Sequence, residues 1–140
     1  MKQNAGPQWI KHFPGRYVGL AFGTNDINYW TSDEDLYNNY KIMVEAVLKA
    51  GKIPVVPTVP WFRDTGGAER AEHINSIIDQ VRADYPQIVD GPDFWTYYYT
   101  NQNMISDDNL HPSWEGYLMY RRLWAEKMLE IVYNGNAVLP

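Results

Sequence analysis

Tyr17-Val18-Gly19-Leu20-Ala21-Phe22-Gly23-Thr24-Asn25-Asp26 is an apolar run of strand length that breaks into a glycine-led polar turn. A nearly continuous apolar strand suits burial on both faces, as in a parallel sheet. Ligands of open α/β sheets bind at the carboxyl ends of their strands, so the turn from Gly23 to Asp26 lies where a site is expected. Asn and Asp are also ordinary turn formers, because their side chains bond nearby backbone. The turn gains weight from a second polar segment far downstream, Asp108-Asn109-Leu110-His111-Pro112. An Asp three residues before a His can hold that His as a general base, and an Asn on an early loop can donate hydrogen bonds to a developing oxyanion.

Strand and helix patterns alternate outward from this stretch. Gln8 to Phe13 reads as the end of a helix, stopped by Pro14-Gly15. Thr31-Ser32-Asp33-Glu34 reads as a capping box with Thr31 as the cap. The helix after it places Leu36, Tyr40, Met43, Val44, Val47 and Leu48 on one stripe, and Gly51 takes the left-handed C-terminal cap. Ile53 to Val59 is the next strand, and Pro54, Pro57 and Pro60 point to an end or edge position for it. Trp61 to Gly67 reads as a loop, followed by a helix from about Ala68 to Asp84 with Ile74, Ile77, Ile78 and Val81 inward. Ile88-Val89 is a short third strand, Gly91 to Asn109 an irregular aromatic-rich stretch, and a last helix starts near Ser113. Trp114, Tyr117, Leu118, Trp124, Met128, Ile131 and Val132 form the apolar side of that helix. The repeated strand–helix unit predicts a parallel α/β sheet with helices on both faces.

Length and composition agree with one domain. The chain has 140 residues, 45% hydrophobic and 15% aromatic, enough to build a core and offset the entropy of ordering. Its net charge is −5, and no basic block exceeds Arg121-Arg122, which argues against nucleic acid as a partner. Cysteine is absent, excluding disulfides, cysteine-ligated metal and a cysteine nucleophile together. No run reaches the roughly 18 apolar residues of a membrane span, and the first residues carry no signal-peptide core. His12 ends a helix, where the dipole favours a cation, and His73 reads as a partly exposed helix residue. No two histidines are at ligand spacing, so no metal site is expected.

The four serines are Ser32, Ser76, Ser106 and Ser113. None stands on the sharp strand-to-helix turn that exposes a nucleophile beside its oxyanion donor. Three aromatic clusters fall on the loop side of the sheet: Tyr29 and Trp30, Trp61 and Phe62, and Trp95 to Tyr99. Tyr29, Trp30, Trp61 and Trp95 are candidates to line a sugar site; each is also an ordinary residue for packing over strand ends. Arg63-Asp64 is either a substrate-orienting pair or a solvated one.

These residues resemble the SGNH hydrolases, also called GDSL-type esterases and lipases. Gly23-Thr24-Asn25-Asp26 is similar to their Gly-x-Asn-Asp block, and Asp108-Asn109-Leu110-His111-Pro112 to their Asp-x-x-His block. The likeness covers about Gln8 to Tyr133. It implies a flavodoxin-like three-layer α/β/α sheet and a Ser-His-Asp hydrolase of acyl esters that needs no cofactor. His111 would be the base, Asp108 its orienter and Asn25 an oxyanion donor, in a loop with Gly23 and Asp26. Trp61 and the segment Gly91-Pro92-Asp93-Phe94-Trp95-Thr96 resemble the branch attached to plant-polysaccharide degradation, implying a secreted bacterial acetylesterase of xylan or related glycans. The family's Gly-Asp-Ser strand and oxyanion Gly block have no counterpart here. In the family sheet order, 2-1-3-4-5, Tyr17–Phe22 would be strand 3, left as an open apolar edge that invites homo-oligomeric pairing. Residues 1–140 are then expected to be one N-terminally incomplete domain, the C-terminal portion of a longer enzyme. The alternatives are a non-catalytic glycan-binding or self-assembling α/β module, and an unrelated flavodoxin-like domain.

Overall fold

A computed structural model describes residues 5–26 and 31–133. In chain order the elements are α1 (Ala5–His12), β1 (Tyr17–Gly19), α2 (Asp33–Lys49), β2 (Ile53–Val56), α3 (Thr65–Asp84), β3 (Val89–Asp90), α4 (Phe94–Thr100), a 3-10 turn (Gln102–Met104) and α5 (Trp114–Tyr133). The strands form a parallel sheet in the order β1-β2-β3. Among the described residues β1 pairs only with β2, so its outer edge is open.

The expectation of an edge position for β2 is overturned, because β2 lies in the middle. Backbone alternation explains how its proline is accommodated. The Ile53 N–H donates to the Arg16 carbonyl and the Leu20 N–H to the Val55 carbonyl, both at 2.9 Å, so Ile53 and Val55 serve β1. Pro54 and Val56 therefore face β3, and the Val56 carbonyl accepts from the Gly91 N–H at 2.8 Å. Pairing with β3 begins only at Val55, so the N–H that Pro54 lacks has no carbonyl to meet.

The same alternation builds three layers. Val18 and Val56 point to a core made with α2 and α3, where Leu36, Tyr40, Val44, Val47, Ile74, Ile77, Ile78 and Val81 are buried. Gly19 and Val55 point the opposite way. A Cβ on Gly19 would stand 3.1 Å from the Trp124 ring of α5, so that ring lies directly on the strand. A second cluster on this side joins Trp61, Phe94, Tyr98 and Ile105 to Tyr120, Leu123 and Trp124. Burying each large apolar side chain contributes about 1.5–3 kcal/mol, and α2 and α3 supply about half of them.

Several boundaries differ from expectation for local reasons. Ser32, not Thr31, caps α2: its hydroxyl accepts from the Asp35 N–H at 3.1 Å and donates to the Asp35 carboxylate. Thr31 is engaged elsewhere, donating to Asp26 at 2.7 Å. α2 ends as expected, with Gly51 at φ +76° and bonds from Gly51 to Leu48 and from Lys52 to Val47. α3 starts three residues before the expected Ala68, because Asp64 caps it by accepting from the Gly67 N–H at 2.9 Å. The stretch from Gly91 to Asn109 is not irregular throughout, since Asp93 caps the short helix α4.

The inward face of α5 overlaps the expected one at Trp124, Met128 and Ile131 and departs from it toward the helix start. Gly116, Tyr120, Leu123 and Trp124 turn inward at helical spacing, while Trp114 is 71% exposed and Tyr117, Leu118 and Val132 also face out. No helix of the described residues is long and apolar enough to cross a membrane.

Candidate functional site

The chain between the 3-10 turn and α5 folds into a compact loop. Ile105 and Pro112 form an antiparallel bridge, the Ser106 N–H donates to the His111 carbonyl at 2.8 Å, and the Asn109 N–H to the Ser106 carbonyl at 3.0 Å. Asn109 takes φ +63°, a left-handed backbone that Asn tolerates better than most residues. This turn brings Asp108 against His111: Oδ2 lies 2.6 Å from the imidazole Nδ1. The other carboxylate oxygen accepts from the Leu110 N–H at 2.9 Å, the His111 N–H at 2.8 Å and the Ser106 hydroxyl at 2.7 Å.

Asp108 is thereby held well below the ordinary carboxylate range, first by the His111 side chain, then by the two backbone N–H groups and the Ser106 hydroxyl. With Nδ1 committed to a carboxylate, the imidazole presents Nε2 with its lone pair outward, the arrangement of a general base. Among the described residues nothing hydrogen-bonds Nε2. A carboxyl with a depressed pKa contributes order that is complete above its unfolded value of about 3.9 and is lost only as pH falls through the depressed one. The Leu110 and His111 amides are thus expected to keep their protection from solvent exchange when the pH is lowered to 4. Loss of that protection between pH 6 and 5 would show that the carboxylate does not hold the loop.

His111 opens onto a cavity of about 190 Å³ between the end of β1 and α5. Phe22, Thr24, Val59, Leu110 and Tyr120 share its wall. The lining is mostly apolar and suits a small acyl group better than a charged one.

The expected oxyanion loop begins at Gly23, which is buried with φ +112°. A Cβ there would meet Val59 Cγ2 at 2.7 Å, so both backbone and space demand glycine. Tyr40 anchors the preceding residue by donating to the Phe22 carbonyl at 2.6 Å. Asp26 accepts from Thr31 and ties the loop to the start of α2. Asn25 is exposed on the turn between them; its neighbour Thr24 reaches the cavity wall, whereas Asn25 does not line it.

The aromatic candidates separate. Tyr29 and Trp30 lie outside the described residues. Trp61 is 8% exposed and packs edge-on to Tyr99 inside the second cluster. Trp95 is half-buried, stacks on Tyr99 at 4.9 Å, and borders a polar groove with Thr58, Asp93 and Thr96; Trp95 does not line the His111 cavity, though Thr58 is shared by both. Arg63, with no spacing signal to mark it, instead reaches into the His111 loop.

The likeness to solved structures follows this geometry. A carbohydrate esterase family 3 protein from Talaromyces cellulolyticus matches with a TM-score of 0.75 at 19% identity, over 94% of this chain and 65% of its own. A serine-to-alanine mutant of an acetyl esterase, crystallised with an acetate ion, matches with a TM-score of 0.76 at 19% identity over the same shares. A lipolytic protein of the G-D-S-L family from Veillonella parvula DSM 2008 gives 0.69 at 21% identity, over 92% of this chain and 71% of its own. At such identities these likenesses establish the three-layer α/β/α fold. The chain spans about 65% of the length of the first two. No curated protein matches the sequence. The family model of the GDSL-like lipases and acylhydrolases covers residues 2–119, and the chain belongs to that family.

Proposed function

We propose that this chain carries the acid–base part of a carboxylic ester hydrolase that removes acetyl groups from carbohydrates. The observation that carries the reading is the 2.6 Å contact of Asp108 with His111 Nδ1, in a histidine that lines a mostly apolar cavity. In this reaction Nε2 takes the proton of an attacking serine hydroxyl, the serine oxygen bonds to the ester carbonyl carbon, and the imidazolium gives the proton to the sugar oxygen as its bond to that carbon breaks. Nε2 then takes a proton from a water that attacks the acetyl-serine, and returns it to the serine oxygen as acetate leaves. Asp108 stabilises the charged imidazole throughout. Asn25 is assigned to the developing oxyanion from its place on the loop after β1, where a side-chain amide can swing toward the reacting carbonyl. Family membership and the esterase names of the solved neighbours support the substrate class.

The serine comes from outside these 140 residues, because all four serines of the chain are engaged away from Nε2. Ser106 donates to Asp108, Ser113 accepts from the Gly116 N–H, Ser32 caps α2, and Ser76 donates to the His73 carbonyl. The test is acetate release from acetylated xylo-oligosaccharides by the chain extended with whatever its gene encodes ahead of Met1. Turnover that His111→Ala abolishes is expected. An upstream sequence with no serine-bearing strand, or turnover that survives His111→Ala, rejects the reading.

The open outer edge of β1 favours one other reading, a non-catalytic module that binds glycan or self-assembles. Light scattering separates the two parts of that idea: dimers or larger species at high concentration support pairing through the edge, and a clean monomer counts against it. Glycan binding with no turnover, unaffected by His111→Ala, would favour the module over the esterase.

A further inference from the structure

Arg63 is tied to the His111 loop more extensively than any recognition motif in the sequence would suggest. Its Nη1 donates to the Asn109 side-chain oxygen at 2.8 Å and to the Ser106 carbonyl at 3.2 Å. Its Nη2 donates to the Gln102 carbonyl at 2.9 Å and the Ile105 carbonyl at 3.1 Å. Its own backbone N–H donates to the Asn109 carbonyl at 3.0 Å. One residue from the loop after β2 thus meets acceptors at the start, middle and turn of the segment that carries Asp108 and His111.

We infer that Arg63 is a positioning residue for the His111 base. The guanidinium is a flat fork with five N–H donors, so it can hold several carbonyls in one plane; an ammonium offers three donors from a single point. Its acceptors are those that set the shape of the turn. Ser106 closes the turn to Asn109, and Asn109 supplies the left-handed residue that aims Asp108 back at Leu110 and His111. The chemistry needs such a clamp, because the Asp108–His111 pair is exposed and has little packing to hold its geometry. A base that drifts by even about 1 Å loses much of its effectiveness. Asp64, the next residue, caps α3, so the clamp sits immediately before the capped start of that helix.

The assignment of His111 as the base rests on the proposed function, but the clamp is tested without turnover. In the 140-residue chain, the low-field Nδ1 proton of His111 and the exchange rates of the Leu110 and His111 amides report the geometry directly. In Arg63→Lys and Arg63→Gln the two amides are expected to exchange roughly tenfold faster or more, and the Nδ1 proton to broaden away. The core amides of Val55 and Ile78 should be unchanged. Neither variant altering the loop signals, with the fold intact, would overturn the assignment. If both fail to fold, Asn109→Gly removes one acceptor while keeping a residue that tolerates the left-handed backbone. It should accelerate the same amides, and unchanged exchange there would equally overturn it. Normal loop signals that respond to Arg63, combined with no esterase activity in the extended chain, would remove the proposed function and leave the clamp standing.

Discussion

Incubated alone with p-nitrophenyl acetate, the 140-residue chain is expected to release nitrophenolate no faster than its own His111→Ala variant. The two rates should both lie roughly 10⁶-fold below that of a complete triad hydrolase, because triad members act as a unit and losing the nucleophile forfeits most of their combined effect. The geometry makes this a strong expectation. Ser106 is the serine nearest the base in sequence, yet its hydroxyl donates to Asp108 at 2.7 Å, on the far side of the carboxylate from Nε2. Activating it would require breaking that bond and turning the loop that Arg63 clamps. Ser113 is held as the cap of α5, with the Gly116 N–H at 3.1 Å from its oxygen. A robust rate that disappears in Ser106→Ala or Ser113→Ala would place the nucleophile within the chain and reject the requirement for an outside serine.

Features set by neighbouring residues are legible in the amino-acid sequence. The α2 stripe and the Gly51 cap follow from residues within a few positions of one another, and both are as expected. The Asp108–His111 contact is legible for the same reason, since a spacing of three residues in a tight turn leaves little freedom. Features set by distant partners are not. Thr31 and Ser32 are equally good caps by type, and the bond from Thr31 to Asp26 decides between them. Pro54 suggests an edge strand, but the alternation of a parallel ladder directs it toward the short β3 before that strand begins. Arg63 is marked by type as a substrate-orienting or solvated residue, but its tie to the His111 loop is not legible, because its acceptors lie roughly 40 residues away and are mostly backbone carbonyls, which every residue possesses. Trp61 has two readings by type, and its position among Phe94, Tyr98 and Ile105 decides for packing.

The inward face at the start of α5 is hidden from sequence for a related reason: its anchor has no side chain. Gly116→Ala is expected to destabilise the protein, although helix propensity alone favours Ala over Gly by about 1 kcal/mol. A Cβ at Gly116 would stand 2.2 Å from the Met104 carbonyl oxygen and 2.9 Å from Pro112 Cβ. That carbonyl cannot retreat cheaply, because it already accepts from the Ser113 N–H at 2.7 Å. Moving the helix instead breaks the bond from the buried Tyr98 hydroxyl to the Gly116 carbonyl, now 2.8 Å, at about 1–3 kcal/mol for the stranded group. Overpacking adds about 1–3 kcal/mol, so the two losses together outweigh the propensity gain and leave a net loss of about 1–5 kcal/mol. For a domain of this size that lowers Tm by about 10 °C. Gly66→Ala is the matched control, since a Cβ there meets only the Asp64 carboxylate, at 3.7 Å. Its Tm should hold or rise. If Gly116→Ala raises Tm as well, α5 does not rest on Met104, and the wall of the His111 cavity formed by Tyr120 is not in place. If Tm falls as expected while the Asp108–His111 signals survive, the clamp through Arg63 holds the base independently of the helix that follows it.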